Sequence, residues 1–121
     1  MPDPHDRDDL RRVPLNRRGP ARHELPAVDE AGLVAGRAAD RLLAAAEQRG
    51  AARWVRYFEA MPDQLRDEDP RTLRQVALRA RAAYGPKDSV RDALPEEVTE
   101  PFLEAIDRLI KQLNRRDVGA A

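Results

Sequence analysis

A chain of 121 residues, 41% hydrophobic and 36% charged, has material for one small core and no more. Its acids and bases balance to a formal net charge of zero, which excludes a polyanion binder that is basic over its whole surface; any basic patch must be local. The absence of cysteine excludes disulfides, thiolate catalysis and zinc knuckles.

No apolar run is long enough to span a bilayer, and the N-terminus lacks a signal-like apolar stretch, so the expected setting is cytoplasmic, with no membrane partner. Lysine occurs only at Lys87 and Lys111, and this preference for arginine reads first as the mark of a GC-rich bacterial genome. Alanine supplies much of the apolar content, which lets helices approach closely while each buries little area.

Residues 1–26 carry Pro2, Pro4, Pro14, Pro20 and Pro26 among charges, with scattered apolar residues that cannot offset the entropy of ordering. A disordered Pro/Arg-rich arm is expected there. Its charge is segregated, with Asp3, Asp6, Asp8 and Asp9 ahead of Arg11, Arg12, Arg17, Arg18 and Arg22. Those five arginines are the candidate basic arm for nucleic acid or an acidic partner, set against a plain solvated tail. Both histidines, His5 and His23, lie in it.

Residues 27–116 are expected to fold as one helical domain, followed by a flexible tail over 117–121. From Asp29, a plausible N-cap, the positions Ala31, Val34, Ala35, Ala38, Leu42, Ala45 and Ala46 share a face, and Gly50 closes the helix. The next stretch holds Trp54, Phe58 and Met61 at helical steps and gathers three of the five aromatic residues, so the core should assemble on it. Leu65 keeps that phase, but Pro62 cannot donate to the Phe58 carbonyl, so a kink or break is expected near Met61.

The segment Pro62–Pro70 reads as an acidic connection whose carboxylates lack the spacing of a calcium loop, so no metal is expected. Asp69 before Pro70 reads as an N-cap followed by proline at the first helical position. The helix from Pro70 to Tyr84 places Leu73, Val76, Ala77, Ala80, Ala83 and Tyr84 on one side. Leu78 falls opposite, among Arg71, Arg74, Gln75 and Arg81: an apolar centre with a polar rim, the form of a partner contact. A lone exposed leucine is the bland alternative.

Gly85 and Pro86 end that helix, and Ser89 caps a short one that stops at Pro95. The last helix, about Glu100 to Arg115, carries the stripe Phe102, Ile106, Leu109 and Leu113. No segment alternates as a strand does, so the fold class is all-α, a small bundle of four main helices plus one short helix.

The region 38–113 resembles a family of small uncharacterised bacterial proteins with a helix ending in glycine, a second helix carrying tryptophan, and a Gly-x-x-Gly-Ser-x-x-Asp turn. Gly50, Trp54, Gly85, Ser89 and Asp92 match that pattern, while Pro86 and Asp88 depart from it, Asp88 standing where the second turn glycine would be. The resemblance implies no known activity, and at most a binding or antitoxin-like role.

No nucleophile, base or metal-ligand set has meaningful spacing, and the part expected to fold contains no His or Cys. The expected function is therefore non-enzymatic: a protein–protein interaction module, immunity-like or regulatory, with no catalytic residue, cofactor or metal. The alternatives are self-association as a C2 dimer, nucleic-acid association through the arm with Arg71, Arg74 and Arg81 as a second contact, and a carboxylate-based enzyme.

Overall fold

The computed structural model describes the backbone of residues 19–120 and the side chains through Arg115. Most of the expected arm, with Arg11, Arg12, Arg17 and Arg18, lies outside the described residues. Within them the architecture is all-α: a 3-10 turn (Arg22–Glu24), then α1 (Pro26–Gln48), α2 (Ala52–Phe58), α3 (Met61–Asp67), α4 (Pro70–Ala82), α5 (Val90–Ala93) and α6 (Glu96–Ala120). Helix α1 packs on α3 and α6, and α4 closes the bundle by packing on α6.

Helix α2 supplies two of the buried rings, while α1 and α6 form the main contact of the bundle. Trp54 and Phe58 stack with ring centroids 5.9 Å apart, and Phe58 meets the edge of Phe102 on α6 at 5.7 Å and 90°. Such offset and edge-on pairs suit the ring quadrupoles. Trp54, Phe58, Met61, Leu73, Phe102, Ile106, Leu109 and Leu113 are all buried. The turn between α1 and α2 needs Gly50, whose φ of 65° only glycine adopts freely.

Several boundaries differ from the sequence reading. Helix α1 starts at Pro26 and not at an Asp29 cap, because the 3-10 turn feeds directly into it and proline suits the first helical position. Asp29 instead accepts from Arg22. The Trp54 helix does break just before Met61, as expected, but Pro62–Asp67 is no loose connection: Pro62 sits at the start of α3, where it needs no N–H partner, and Leu65 is fully buried. Helix α6 begins at Glu96, four residues early, with Pro101 inside it, and runs on to Ala120 through most of the expected tail. No proline follows Pro101 to stop it.

The cap assignments at Asp69 and Ser89 hold in their local geometry. The Asp69 carboxylate accepts from the Thr72 N–H at 2.9 Å, and the Ser89 hydroxyl accepts from the Arg91 N–H at 3.1 Å. Asp88, standing at the position that the resembled family fills with glycine, has a φ of 55°; among the described residues it is the one non-glycine residue in the left-handed region.

Candidate interaction surface

Helix α4 turns Leu73, Val76, Ala77 and Ala80 inward, so at 3.6 residues per turn Leu78 is carried to the outside, where it is 51% exposed. Leu33 on α1, at 37%, is the other large exposed apolar side chain among the described residues. Arg71 and Gln75 flank Leu78 and are exposed.

The remaining arginines of α4 are held from both sides. Toward α6, Arg74 donates to Asn114 Oδ1 at 2.7 Å, and Arg81 pairs with Asp107 at 3.0 Å. Toward α2, Arg79 lies over the Tyr57 ring at 4.7 Å; it donates to the Tyr57 carbonyl at 3.2 Å, and the Tyr57 hydroxyl donates to the Arg79 carbonyl at 2.6 Å. These contacts fix the guanidinium groups at little further entropic cost on binding. The Tyr57–Arg79 clasp escaped the sequence reading. The one signal for it was a tyrosine beside the buried stripe of α2, which needs a partner for its hydroxyl.

Arg22 does not belong with a free arm. Its side chain is 10% exposed, and its Nε donates to Asp29 Oδ1 at 2.6 Å while Nη1 reaches the Glu68 carbonyl at 3.1 Å. It pins the entry segment onto α1 and onto the end of α3. His23 is exposed in the same turn.

Three of the four perturbed titratable groups among the described residues, Tyr84, Arg91 and Glu100, form a structural latch. Burial pushes the Tyr84 phenol well above its ordinary value, so it stays protonated and donates to the Thr99 carbonyl. Arg91 grips Glu100 with two hydrogen bonds at 2.8 and 2.9 Å, which hold that carboxyl below its ordinary range, and the same guanidinium lies 5.4 Å from the Tyr84 ring. No group of three or more metal-ligating side chains converges among the described residues. In the acidic stretch after Pro62, Asp63 pairs with Arg66 and Asp69 caps α4. No described helix is long and apolar enough to cross a membrane.

No family model matches the chain, and comparison with curated proteins and solved structures finds no significant match.

Proposed function

We propose that this protein is a non-enzymatic interaction module that docks a protein partner on the outer face of α4. The observation that carries this reading is Leu78, half-exposed in a row of polar neighbours and flanked by arginines already anchored to α2 and α6. A partner suited to it presents an apolar pocket with an acidic rim. An immunity-like or regulatory role fits a small domain of this kind.

A photo-crosslinker placed at Arg71 or Gln75 in the full chain tests the face. Capture of one partner from native lysate that is abolished by Leu78→Glu and retained with Leu33→Glu supports it. Equal capture by both variants removes α4 from the interface. Light scattering at tens of micromolar protein, about where weak dimers assemble, identifies the partner as a second copy if the dimer disappears with Leu78→Glu.

A further inference from the structure

Acceptors from α1 and from the end of α3 converge on the Arg22 guanidinium. Its Nε donates to the Asp29 carboxylate at 2.6 Å, its Nη1 to the Glu68 carbonyl at 3.1 Å and its Nη2 to the Asp29 carbonyl at 3.4 Å. The floor is a missing side chain: a β-carbon on Gly32 would stand 2.4 Å from Nη2 and 3.0 Å from Cζ, so glycine is what leaves room for the planar group. Glu68 is the C-cap of α3, and carbonyls at a helix C-terminus favour a cation.

The walls of this site are held without Arg22. Val28, Ala31 and Ala35 are buried on α1 around Asp29 and Gly32, and Met61 and Leu65 are fully buried on α3. Asp69, directly after Glu68, is fixed as the cap of α4. The segment that delivers Arg22 is held differently. Of the other residues in 19–24 none is buried, Pro20 being half-buried and the rest exposed. The backbone hydrogen bonds of this strap stay local, from the Glu24 N–H to the Ala21 carbonyl and from the Leu25 N–H to the Arg22 carbonyl, while the Glu24 carboxylate accepts from the Ala21 N–H. Among the described residues, the Arg22 side chain makes the strap's hydrogen bonds to the bundle, and Leu25, partly buried against the core, is where the strap joins it. Withdrawing one side chain therefore frees the strap and leaves the acceptors in place.

The chemistry of the site selects its occupant. A guanidinium presents five N–H donors in one plane, and here each of its three nitrogens finds an oxygen. A lysine ammonium has one nitrogen, which cannot stand in three places. An anion meets a carboxylate and two carbonyl oxygens and is repelled.

We propose that this is an arginine-binding site occupied in cis: the strap places Arg22 in it as an intramolecular ligand, and when the strap withdraws, the site takes the guanidinium of an arginine on a partner peptide. The strap is then a built-in competitor for that arginine. This site is independent of the docking face on α4.

The test is thermal unfolding of the full chain followed by circular dichroism, for the wild type, Arg22→Ala, Arg22→Lys and Arg22→Ala/Asp29→Asn. Each is melted alone, with methylguanidinium, with methylammonium at equal concentration, and with N-acetyl-arginine amide as the model of an arginine in a peptide. Arg22→Ala should melt cooperatively but below the wild type. Methylguanidinium and the arginine amide should each raise its midpoint saturably, by about 2–3 °C at the concentration that fills half the sites, and leave the wild type unmoved. Methylammonium should not raise it, the double variant should lose the response, and Arg22→Lys should melt close to Arg22→Ala. Absence of any response in Arg22→Ala overturns the proposal, and so does an equal response in the wild type or to methylammonium. A response to methylguanidinium without one to the arginine amide closes the site to arginine in trans and overturns it as well. Loss of a cooperative melt in Arg22→Ala means that the strap is not detachable, and a wild-type midpoint in Arg22→Lys means that the site does not select guanidinium; either result overturns the proposal.

Discussion

Two helix seams in this molecule are closed by opposite means. Where α1 meets α3, the buried positions of α1 are Gly32, Ala35, Gly36 and Ala39, and the backbone itself makes the contact: a β-carbon on Gly32 would stand 2.8 Å from the Leu65 carbonyl oxygen. Where α4 meets α6, side chains fill the space, with Leu73 and Val76 on one helix and Ile106, Leu109 and Leu113 on the other. Salt bridges and hydrogen bonds at the rim then tie that second seam, through Arg81 to Asp107 and Arg74 to Asn114. At Gly32 the first seam has no room for a further methyl group, whereas the second is filled by the methyl groups it has.

Truncation in the second seam should have the largest effect. Leu109→Ala leaves a cavity in a fully buried site and is expected to cost about 2–5 kcal/mol, read as a lower midpoint in chemical denaturation. A loss below about 1 kcal/mol would mean that this seam collapses easily and is not held by side-chain fit.

Enlargement is the matching test of the first seam. In an ordinary helix interior, alanine in place of glycine gains about 1 kcal/mol. At Gly32 the added carbon meets the Leu65 carbonyl and crowds the Arg22 guanidinium at 2.4 Å, and overpacking of this kind costs about 1–3 kcal/mol. Gly32→Ala is therefore expected to destabilise by about 1 kcal/mol net. A stabilised variant would break the comparison by showing that α3 can retreat freely.

The smallest effect concerns the exposed contact beside the second seam, where Arg91 on α5 grips Glu100 on α6. Arg91 holds the folded-state Glu100 carboxyl below its ordinary 4.5, so the pair contributes stability above that pH and loses it as pH falls through the folded value. Thermal melts from neutral pH down into acid should show wild type losing midpoint more steeply than Glu100→Gln below about pH 4.5. Parallel curves would mean that the latch adds nothing beyond the buried Tyr84 contact.

Much of the fold was legible because its signals are local. The stripe of Phe102, Ile106, Leu109 and Leu113 recurs within one helix, and the caps at Asp69 and Ser89 act within three residues. Pro101 hid the true start of α6, because a proline usually marks the first turn of a helix, whereas here it sits inside the helix, five residues past Glu96, and cannot donate to the Glu97 carbonyl. Of the surface residues, the outward turn of Leu78 followed from helical period alone.

What the sequence by itself determined is therefore the helical class, the anchor at Trp54 and Phe58, the reversal at Gly50 and the inward face of each long helix, all set by spacings within a few turns. Tertiary structure alone decided which small residues form a seam and which cations are engaged. Gly32 and Gly36 read as weak points in a helix until α3 lies across them. Arg22 read as part of an arm until Asp29 and Glu68 enclose it, and the arginines of α4 read as free until Tyr57, Asp107 and Asn114 meet them. Most of these partners lie 22 to 46 residues apart in the chain, and they meet only because of the angles at which helices cross, which no local pattern of residues records.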